Sequence, residues 1–160
     1  MFFKKKVTLL LDIDGVFNSL GRIEDPIIVR HDLGIWQISE KNAEFLKYLA
    51  KRKDVKCIWS STWGKESNQL NKFLGIKNFK CIFSGDKYFD IELYMRTHMK
   101  KRNILVIDDD YLDLYEYQYE VNGTTGLTEV DRQNILTCID LIQKDEYYTV
   151  LEWEVYYEDK

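Results

Sequence analysis

Cysteine, proline and long apolar stretches are scarce in this chain. The three cysteines, Cys57, Cys81 and Cys138, are an odd number at wide spacing, which favours neither disulfides nor a zinc site. A single proline and the lack of low-complexity tracts indicate a folded domain rather than a disordered chain. Because acids interrupt the apolar run that begins at Val7, no segment is long enough to cross a bilayer. We therefore expect a protein of the reducing cytoplasm without membrane contact.

Basic side chains are also fewer than acidic ones. The 160 residues include 27 acidic and 23 basic side chains, which gives a net charge of -4 at pH 7. This balance argues against a long basic track along duplex nucleic acid, although it is compatible with a local basic patch. A phosphorylated small molecule or a single nucleic-acid end is the partner that fits better. The oligomeric state stays open.

One stretch near the start dominates the prediction of function. The apolar run from Val7 ends in Asp12-Ile13-Asp14-Gly15, which predicts two carboxylates at the carboxyl end of a buried strand. Side chains at i and i+2 leave a strand on the same face, and like charges held this close repel unless a cation or a shared proton relieves them. Mg²⁺ takes oxygen ligands, and a carboxylate beside it can attack phosphorus to form an aspartyl phosphate. A simple turn is the alternative interpretation.

Strands and helices alternate along the rest of the chain. A short hairpin is predicted over 27–38, followed by strands over 55–59, 79–83 and 103–107 with helices between them, and an edge strand over 115–121. Ser39 and Thr128 are predicted to cap helices at the N-terminus, and Gly75 to end one. This order predicts an α/β fold of three layers around a central parallel sheet. We expect one domain over 1–160, with a core over about 7–143 and an acidic, aromatic extension over 144–160 that covers the sheet.

Four short motifs at the predicted strand ends resemble the haloacid dehalogenase (HAD) superfamily in order and spacing. They are Asp12-Ile13-Asp14-Gly15-Val16, the hydroxyls Ser60-Ser61-Thr62, Lys87 before a helix, and the acids Asp108-Asp109-Asp110. The run from Trp59 to Trp63, with Gly126-Leu127-Thr128 later, is further similar to a capless group, the HAD domain of Swiss Army Knife RNA repair proteins. The resemblance covers about residues 7 to 140 and implies a Rossmann-like HAD fold with a minimal cap.

The resemblance also implies chemical roles. Asp12 matches the nucleophile, which also binds Mg²⁺, and Asp14 matches the general acid and base, whose backbone carbonyl binds the same ion. Ser61 matches the hydroxyl that binds the phosphoryl group, with Ser60 and Thr62 as alternatives because the strand end is not fixed to one residue. An acid at the second position implies a phosphatase rather than a dehalogenase.

A lysine that neutralises the developing charge is the third part of the pattern. Lys87 matches it and would also keep Asp12 ionised. A cation at the start of a helix opposes the helix dipole, which favours a special role over that of an ordinary surface lysine. Lys77 and Lys80 are poorer matches because they precede the end of the third predicted strand.

The acids after the fourth predicted strand are the remaining metal ligands that the resemblance implies. Asp109 is the preferred ligand, because the family pattern pairs it with an acid four residues later and Asp113 occupies that position. Asp108 is the alternative. Three consecutive acids after an apolar strand also repel one another strongly without a cation, which favours Mg²⁺ over a solvated turn.

These roles combine into one predicted function. We expect a Mg²⁺-dependent phosphatase that acts through an aspartyl phosphate on nucleic-acid 3′ ends or on nucleotides. Gly15, Thr62 and Trp63 are expected to contact the substrate, and Trp63 would either stack on a base or pack against the hairpin. The alternative is a non-catalytic protein that binds a phosphorylated ligand or partner. The presence of both a nucleophile and a general acid favours the enzyme.

Overall fold

A parallel sheet is the element on which this fold is built. The computed structural model describes residues 4–19, 21, 23–31, 34–77, 79–98 and 103–147. The strands are β1 (Val7–Leu11), β2 (Pro26–His31), β3 (Gly34–Ser39), β4 (Val55–Trp59), β5 (Lys80–Cys81), β6 (Ile104–Asp108) and β7 (Gln118–Glu120). Five of them form the sheet in the order β5-β4-β1-β6-β7, and every neighbouring pair is parallel. β2 and β3 form a separate antiparallel hairpin.

The central strand brings three predicted motifs to one edge of the sheet. β1 lies between β4 and β6, and Leu11 is level with Trp59 on one side and Ile107 on the other. Each of these residues is followed by polar side chains. Because the strands are parallel, those polar side chains leave the sheet at the same edge. The predicted α/β order, the parallel sheet and the hairpin are confirmed.

Helices cover both faces of the sheet. In the described part of the chain these are α1 (Glu40–Lys51), α2 (Ser67–Leu74), α3 (Lys87–His98) and α4 (Glu129–Gln143). Leu9 and Leu11 belong to the larger apolar cluster, which contains residues of α1, α2 and α4. Leu10 belongs to the smaller cluster, which contains Ile91 and Met95 of α3. All five residues of β1 are buried, as expected of a strand that is covered on both faces. The three-layer prediction is therefore confirmed.

The helix ends confirm two of the three predicted caps. Thr128 Oγ1 accepts a hydrogen bond from Asp131 N, and the Asp131 carboxylate accepts one from Thr128 N, which completes a capping box. Gly75 ends α2 with a φ of 68°, a left-handed conformation that suits glycine. Ser39 precedes α1 as predicted, but its hydroxyl donates to Asp25 Oδ1 at 3.0 Å and makes no capping hydrogen bond. That hydrogen bond instead joins the two ends of the hairpin.

Two strands are shorter than predicted. β5 contains two residues of the predicted 79–83, since it pairs with β4 alone at one edge of the sheet. Over the predicted 115–121, a turn of 3-10 helix (Tyr115–Tyr117) precedes the three residues of β7. Tyr115 has a φ of 48°, which an extended strand does not allow. The predicted edge position of β7 is confirmed, because it pairs with β6 alone.

Other predictions fall on residues that the structure does not describe. The cover over the sheet that was expected of the C-terminal extension depends on residues 148–160, which lie outside the described ranges. The helical spacing of Ile91, Tyr94, Met95 and Met99 also predicts a helix over 88–100; residues 99 and 100 lie outside the described ranges, and α3 is described as far as His98. None of the described helices is long and apolar enough to cross a membrane.

Candidate active site

Asp12 is held rigidly where β1 ends. Its side chain is buried, with a relative exposure of 5%. Oδ1 accepts a hydrogen bond from the backbone N–H of Ile13 at 2.7 Å, and Oδ2 accepts one from Lys87 Nζ at 2.6 Å. Oδ1 is thus fixed by the next residue of the chain, and Oδ2 by a side chain that follows 75 residues later. A carboxylate held in this way keeps its oxygens in a fixed orientation toward a bound reactant.

Lys87 joins the ends of two strands. It is the first residue of α3 and is buried. Besides Asp12, its ammonium group donates to Asp108 Oδ1 at 2.9 Å and to Asp110 Oδ2 at 3.2 Å. Asp108 is the last residue of β6 and is fully buried. Three carboxylates therefore share one ammonium group.

The electrostatics of this group favour an additional cation. Burial raises the pKa of Asp12, against the opposing effect of Lys87. Burial, together with the charge of Asp12, raises the pKa of Asp108 to about 7 in spite of Lys87. Burial and the charge of Asp12 also raise the pKa of Asp109. Burial opposes the charged form of Lys87, but Asp12 and Asp108 outweigh it and raise the pKa of that lysine. These shifts indicate an excess of carboxylates that one ammonium group does not balance.

Three of the acids have the geometry of a metal site. Asp12, Asp108 and Asp109 each offer a carboxylate oxygen, and these oxygens all lie within 4.8 Å of one another. Asp108 Oδ2 is buried and accepts no hydrogen bond from the described residues, although Lys87 Nζ lies 2.9 Å away. A donor set made only of carboxylate oxygens suits a hard cation such as Mg²⁺. Both acids that the sequence offered as ligands after the fourth strand, Asp108 and Asp109, therefore belong to this set.

Two glycines make room for the Asp109 carboxylate. A Cβ atom placed on Gly15 would lie 2.1 Å from Asp109 Oδ2, and one placed on Gly123 would lie 2.3 Å from the same oxygen. Gly15 also has a φ of 72°, which disfavours other residues. The sequence suggested Gly15 as a substrate contact, and it does line the cleft described below. The contact of Gly123 with Asp109 is not visible in the sequence, where this glycine has the character of a turn residue.

Asp113 is the predicted partner of Asp109 that the structure does not bring to the cluster. It is exposed, and its Oδ1 accepts a hydrogen bond from the hydroxyl of Tyr111 at 3.0 Å. The group of acids with metal-site geometry in the described ranges does not include it. Its φ of 53° places it in a turn that leads away from the strand end. The structure therefore shows no contact between Asp113 and the cluster, and the pairing of Asp109 with an acid four residues later stays a prediction.

The carboxylate of Asp14 accepts hydrogen bonds from two side chains other than Lys87. Its Oδ1 accepts a hydrogen bond from Asn18 Nδ2 at 2.7 Å, and its Oδ2 accepts one from Trp63 Nε1 at 3.0 Å. Asn18 Oδ1 in turn accepts from the backbone N–H of Gly15 at 2.9 Å. The predicted metal contact of Asp14 is its backbone carbonyl, and this stays a prediction. Asn18 was not among the predicted site residues, because an asparagine at this position looks like an ordinary turn residue.

Trp63 packs against the hairpin. Its ring centroid lies 5.1 Å from that of Trp36 in β3, and the side chain is 5% exposed. Of the two alternatives that the sequence left open, packing is the one that the structure shows. Its burial leaves little ring surface for a base, and the substrate contact expected of Trp63 stays a prediction. Trp63 instead connects the hairpin to the carboxylate of Asp14.

The three candidate hydroxyls occupy different environments. Ser61 is fully buried, and its hydrogen bond with Asp12 is one of the effects that oppose the rise in the pKa of Asp12. Ser60 is also buried, but its hydroxyl has no hydrogen-bond partner among the described residues. Thr62 is exposed. Ser61 is thus the hydroxyl that the structure brings to Asp12, and Thr62 is the one at the surface.

A cleft of about 470 Å³ gives access to this group of residues. Thr62, Phe83 and Tyr88 line it together with Lys87 and the acids. Lys77 and Lys80, the poorer matches for the lysine, lie outside it among the exposed residues. The acidic members of the cleft wall are Asp12, Asp14, Asp86, Asp109 and Asp110.

Comparisons with known proteins agree with this geometry. A search of curated proteins found no match. The sequence model of one family, described as HAD domain in Swiss Army Knife RNA repair proteins, matches residues 8–131. That span is more than half of the chain and includes Asp12, Asp14, Ser61, Lys87 and the acids that follow β6. The chain therefore belongs to the family of HAD domains found in Swiss Army Knife RNA repair proteins.

Proposed function

We propose that this protein is a Mg²⁺-dependent phosphatase that hydrolyses phosphoric monoesters through an aspartyl phosphate on Asp12. The observation that carries the proposal is the position of Asp12, a buried carboxylate fixed by Ile13 N and Lys87 Nζ where three strand ends meet. Membership of a HAD family supports the phosphatase class. A protein that only bound phosphate would not benefit from a carboxylate at this point, since it repels the ligand.

The proposed reaction has two steps. In the first, an oxygen of Asp12 forms a bond to phosphorus, the bond to the leaving oxygen breaks, and Asp14 gives that oxygen a proton. In the second, Asp14 takes a proton from water, and the water oxygen forms a bond to phosphorus. The bond between phosphorus and the Asp12 oxygen breaks, so that inorganic phosphate is released and Asp12 is restored. Lys87 and Ser61 are proposed to balance the charge of the phosphoryl group and to hold it.

A metal ion would complete the site. Asp12, Asp108 and Asp109 would hold it, with the backbone carbonyl of Asp14 as a proposed fourth ligand. When bound, Mg²⁺ would neutralise phosphoryl oxygens and so reduce their repulsion from the carboxylates. The buried Asp108 Oδ2, which accepts no hydrogen bond from the described residues, and the room left for Asp109 by Gly15 and Gly123 support this assignment.

The proposed substrates are nucleic-acid 3′-phosphates or nucleotides. The name of the matched family, which refers to RNA repair, supports the first of these. A phosphate at the end of a polymer would reach Asp12 without the rest of the polymer entering the cleft.

Release of inorganic phosphate is the experiment that tests this function. Purified protein is incubated with an aryl phosphate and with a 3′-phosphorylated oligonucleotide, with Mg²⁺ or with excess chelator. We expect turnover of both compounds with Mg²⁺ and none with chelator, because the carboxylates alone would repel the phosphate. A folded, Mg²⁺-binding protein without turnover on a broad panel of phosphates would contradict the proposal and favour a binding protein for a phosphorylated ligand.

Trp63→Phe tests the proposed role of Asp14. The substitution keeps an aromatic ring against Trp36 but removes the N–H that donates to Asp14 Oδ2. We expect kcat/KM to fall about tenfold for a nucleoside 3′-phosphate, whose alkoxide needs a proton to leave. For an aryl phosphate with an acidic leaving group the loss should be under about twofold, since that group leaves without a proton.

The comparison between the two leaving groups serves as the control. A variant that had merely lost part of its packing would turn over both substrates more slowly by the same factor. Equal losses would therefore sink the idea that Trp63 positions a general acid. Thermal melting of the same preparation measures any change in packing separately.

A further inference from the structure

A second cavity of about 630 Å³ lies beside the active-site cleft. Lys65, Lys77 and Lys80 line it together with the rings of Phe79 and Phe83, and none of the acidic side chains that the structure describes does. We call this cavity the lysine groove. All three lysines are exposed, and none forms an ion pair with another residue of the described ranges. A concentration of free cations is unexpected in a chain whose net charge is -4.

Charge is divided between the two neighbouring cavities. The cleft contains five carboxylates and suits a metal ion with a phosphoryl group, whereas the lysine groove offers three ammonium groups without a metal. Unpaired lysines beside a cavity attract anions, and each phosphate that they neutralise releases condensed counterions. An anionic chain could therefore continue from the cleft into the groove.

Phe83 is the wall that the two cavities share. A Cβ atom on Gly64 would lie 3.3 Å from its Cδ1, so the ring is placed against the loop that follows Ser61. The ring is partly exposed. An aromatic ring at the point where a phosphorylated chain would leave the cleft is suited to stacking on an unpaired base.

We propose that the lysine groove binds the phosphodiester backbone of single-stranded nucleic acid, with the terminal phosphate in the cleft and the adjoining base on Phe83. This inference rests on the proposed phosphatase function and adds a binding site for the remainder of its substrate. The free lysines favour a polyanion, and the shared aromatic ring favours nucleic acid over an acidic peptide. A duplex has no unpaired base to place against Phe83.

Binding is measured first, with Asp12→Asn as the background so that no substrate is consumed. A fluorescent, 3′-phosphorylated oligonucleotide of about eight nucleotides is titrated at several salt concentrations, with and without Lys65→Gln, Lys77→Gln and Lys80→Gln together. We expect the three changes to weaken binding about tenfold and to reduce the slope of log Kd against log salt by about 2. Exposed lysines elsewhere provide the matched control, Lys47→Gln, Lys53→Gln and Lys144→Gln, which alters net charge equally.

Equal effects of the two triple substitutions would overturn the proposal, since they would show a response to net charge alone. So would displacement of the oligonucleotide by a polyglutamate peptide at the same charge concentration, because the groove would then accept any polyanion. With the otherwise unaltered protein, the ratio of kcat/KM for the oligonucleotide to that for an aryl phosphate should fall about tenfold in the groove variant only. An unchanged ratio would refute the groove while leaving the phosphatase in place. Lysine-dependent binding without turnover of any phosphate would refute the phosphatase and support the groove.

Discussion

Asp12→Asn is expected to reduce kcat for an aryl phosphate by at least about 10⁴-fold, because the amide cannot form the proposed acyl phosphate. Asn has almost the shape of Asp, and its oxygen can still accept the hydrogen bond from Ile13 N. Lys87 keeps its contacts with Asp108 and Asp110. The fold should therefore survive, and the loss should appear in kcat rather than in expression or melting. Steady-state phosphate release with Mg²⁺ measures it.

Asp113→Asn is the matched control for that experiment. It removes the same charge from the same end of the sheet, but Asp113 is exposed and contacts Tyr111 rather than the acidic cluster. We expect its kcat to stay within about twofold of the wild type, as is usual for surface changes away from the reacting atoms. Retention of activity in Asp12→Asn would rule out the aspartyl phosphate. A large loss in Asp113→Asn would instead support the role that its spacing suggested.

Sequence periodicity was sufficient for the strands that form the centre of the sheet. β1, β4 and β6 were predicted at nearly their observed bounds because each is a short apolar run that stops abruptly at polar residues. Once their ends are fixed, a parallel sheet places those polar residues at one edge. The approach of Lys87 to Asp12 was implied by the resemblance to the HAD superfamily rather than by periodicity, and the structure shows the contact.

Two contacts that the sequence did not reveal depend on packing between distant segments. Gly123 matters because Asp109 lies against it, and Trp63 matters because its N–H reaches Asp14. Neither contact corresponds to a residue spacing that can be recognised in the sequence. Ser39 shows a related difficulty, because a cap was predicted from local preference and a partner fourteen residues earlier, Asp25, received the hydrogen bond instead. Local propensity predicts where such a polar residue occurs, whereas its hydrogen-bond partner depends on the tertiary structure.

Lys87→Met is expected to destabilise the metal-free protein at pH 8 by about 3 to 5 kcal/mol, since it leaves buried carboxylates without their cation. Asp12 and Asp108 are 5% and 0% exposed, so water would solvate their charges poorly in place of the ammonium group. The same change should also lower kcat by about 10³-fold, because a charge that stabilises the reacting phosphoryl group is lost. Urea unfolding in the presence of chelator measures the first effect. Lys53→Met, at an exposed lysine, is the control.

The pH dependence of that loss distinguishes electrostatics from simple packing. With Lys87 present, burial and the charge of Asp12 already raise the pKa of Asp108 to about 7, and removal of a cation raises it further. Below that pKa the folded variant binds a proton that an unfolded aspartate, with a pKa near 3.9, does not bind. Its stability should therefore increase as the pH falls from about 8 to about 5, and the difference from the wild type should narrow. If the loss of stability were the same at pH 8 and pH 5, its cause would be the missing packing contacts of the Lys87 side chain rather than the uncompensated charges of Asp12 and Asp108. If the difference in stability from the wild type narrows at low pH, Lys87 balances the charges of a buried pair of carboxylates. A site that receives both a divalent cation and a phosphoryl group needs such a balance beside it.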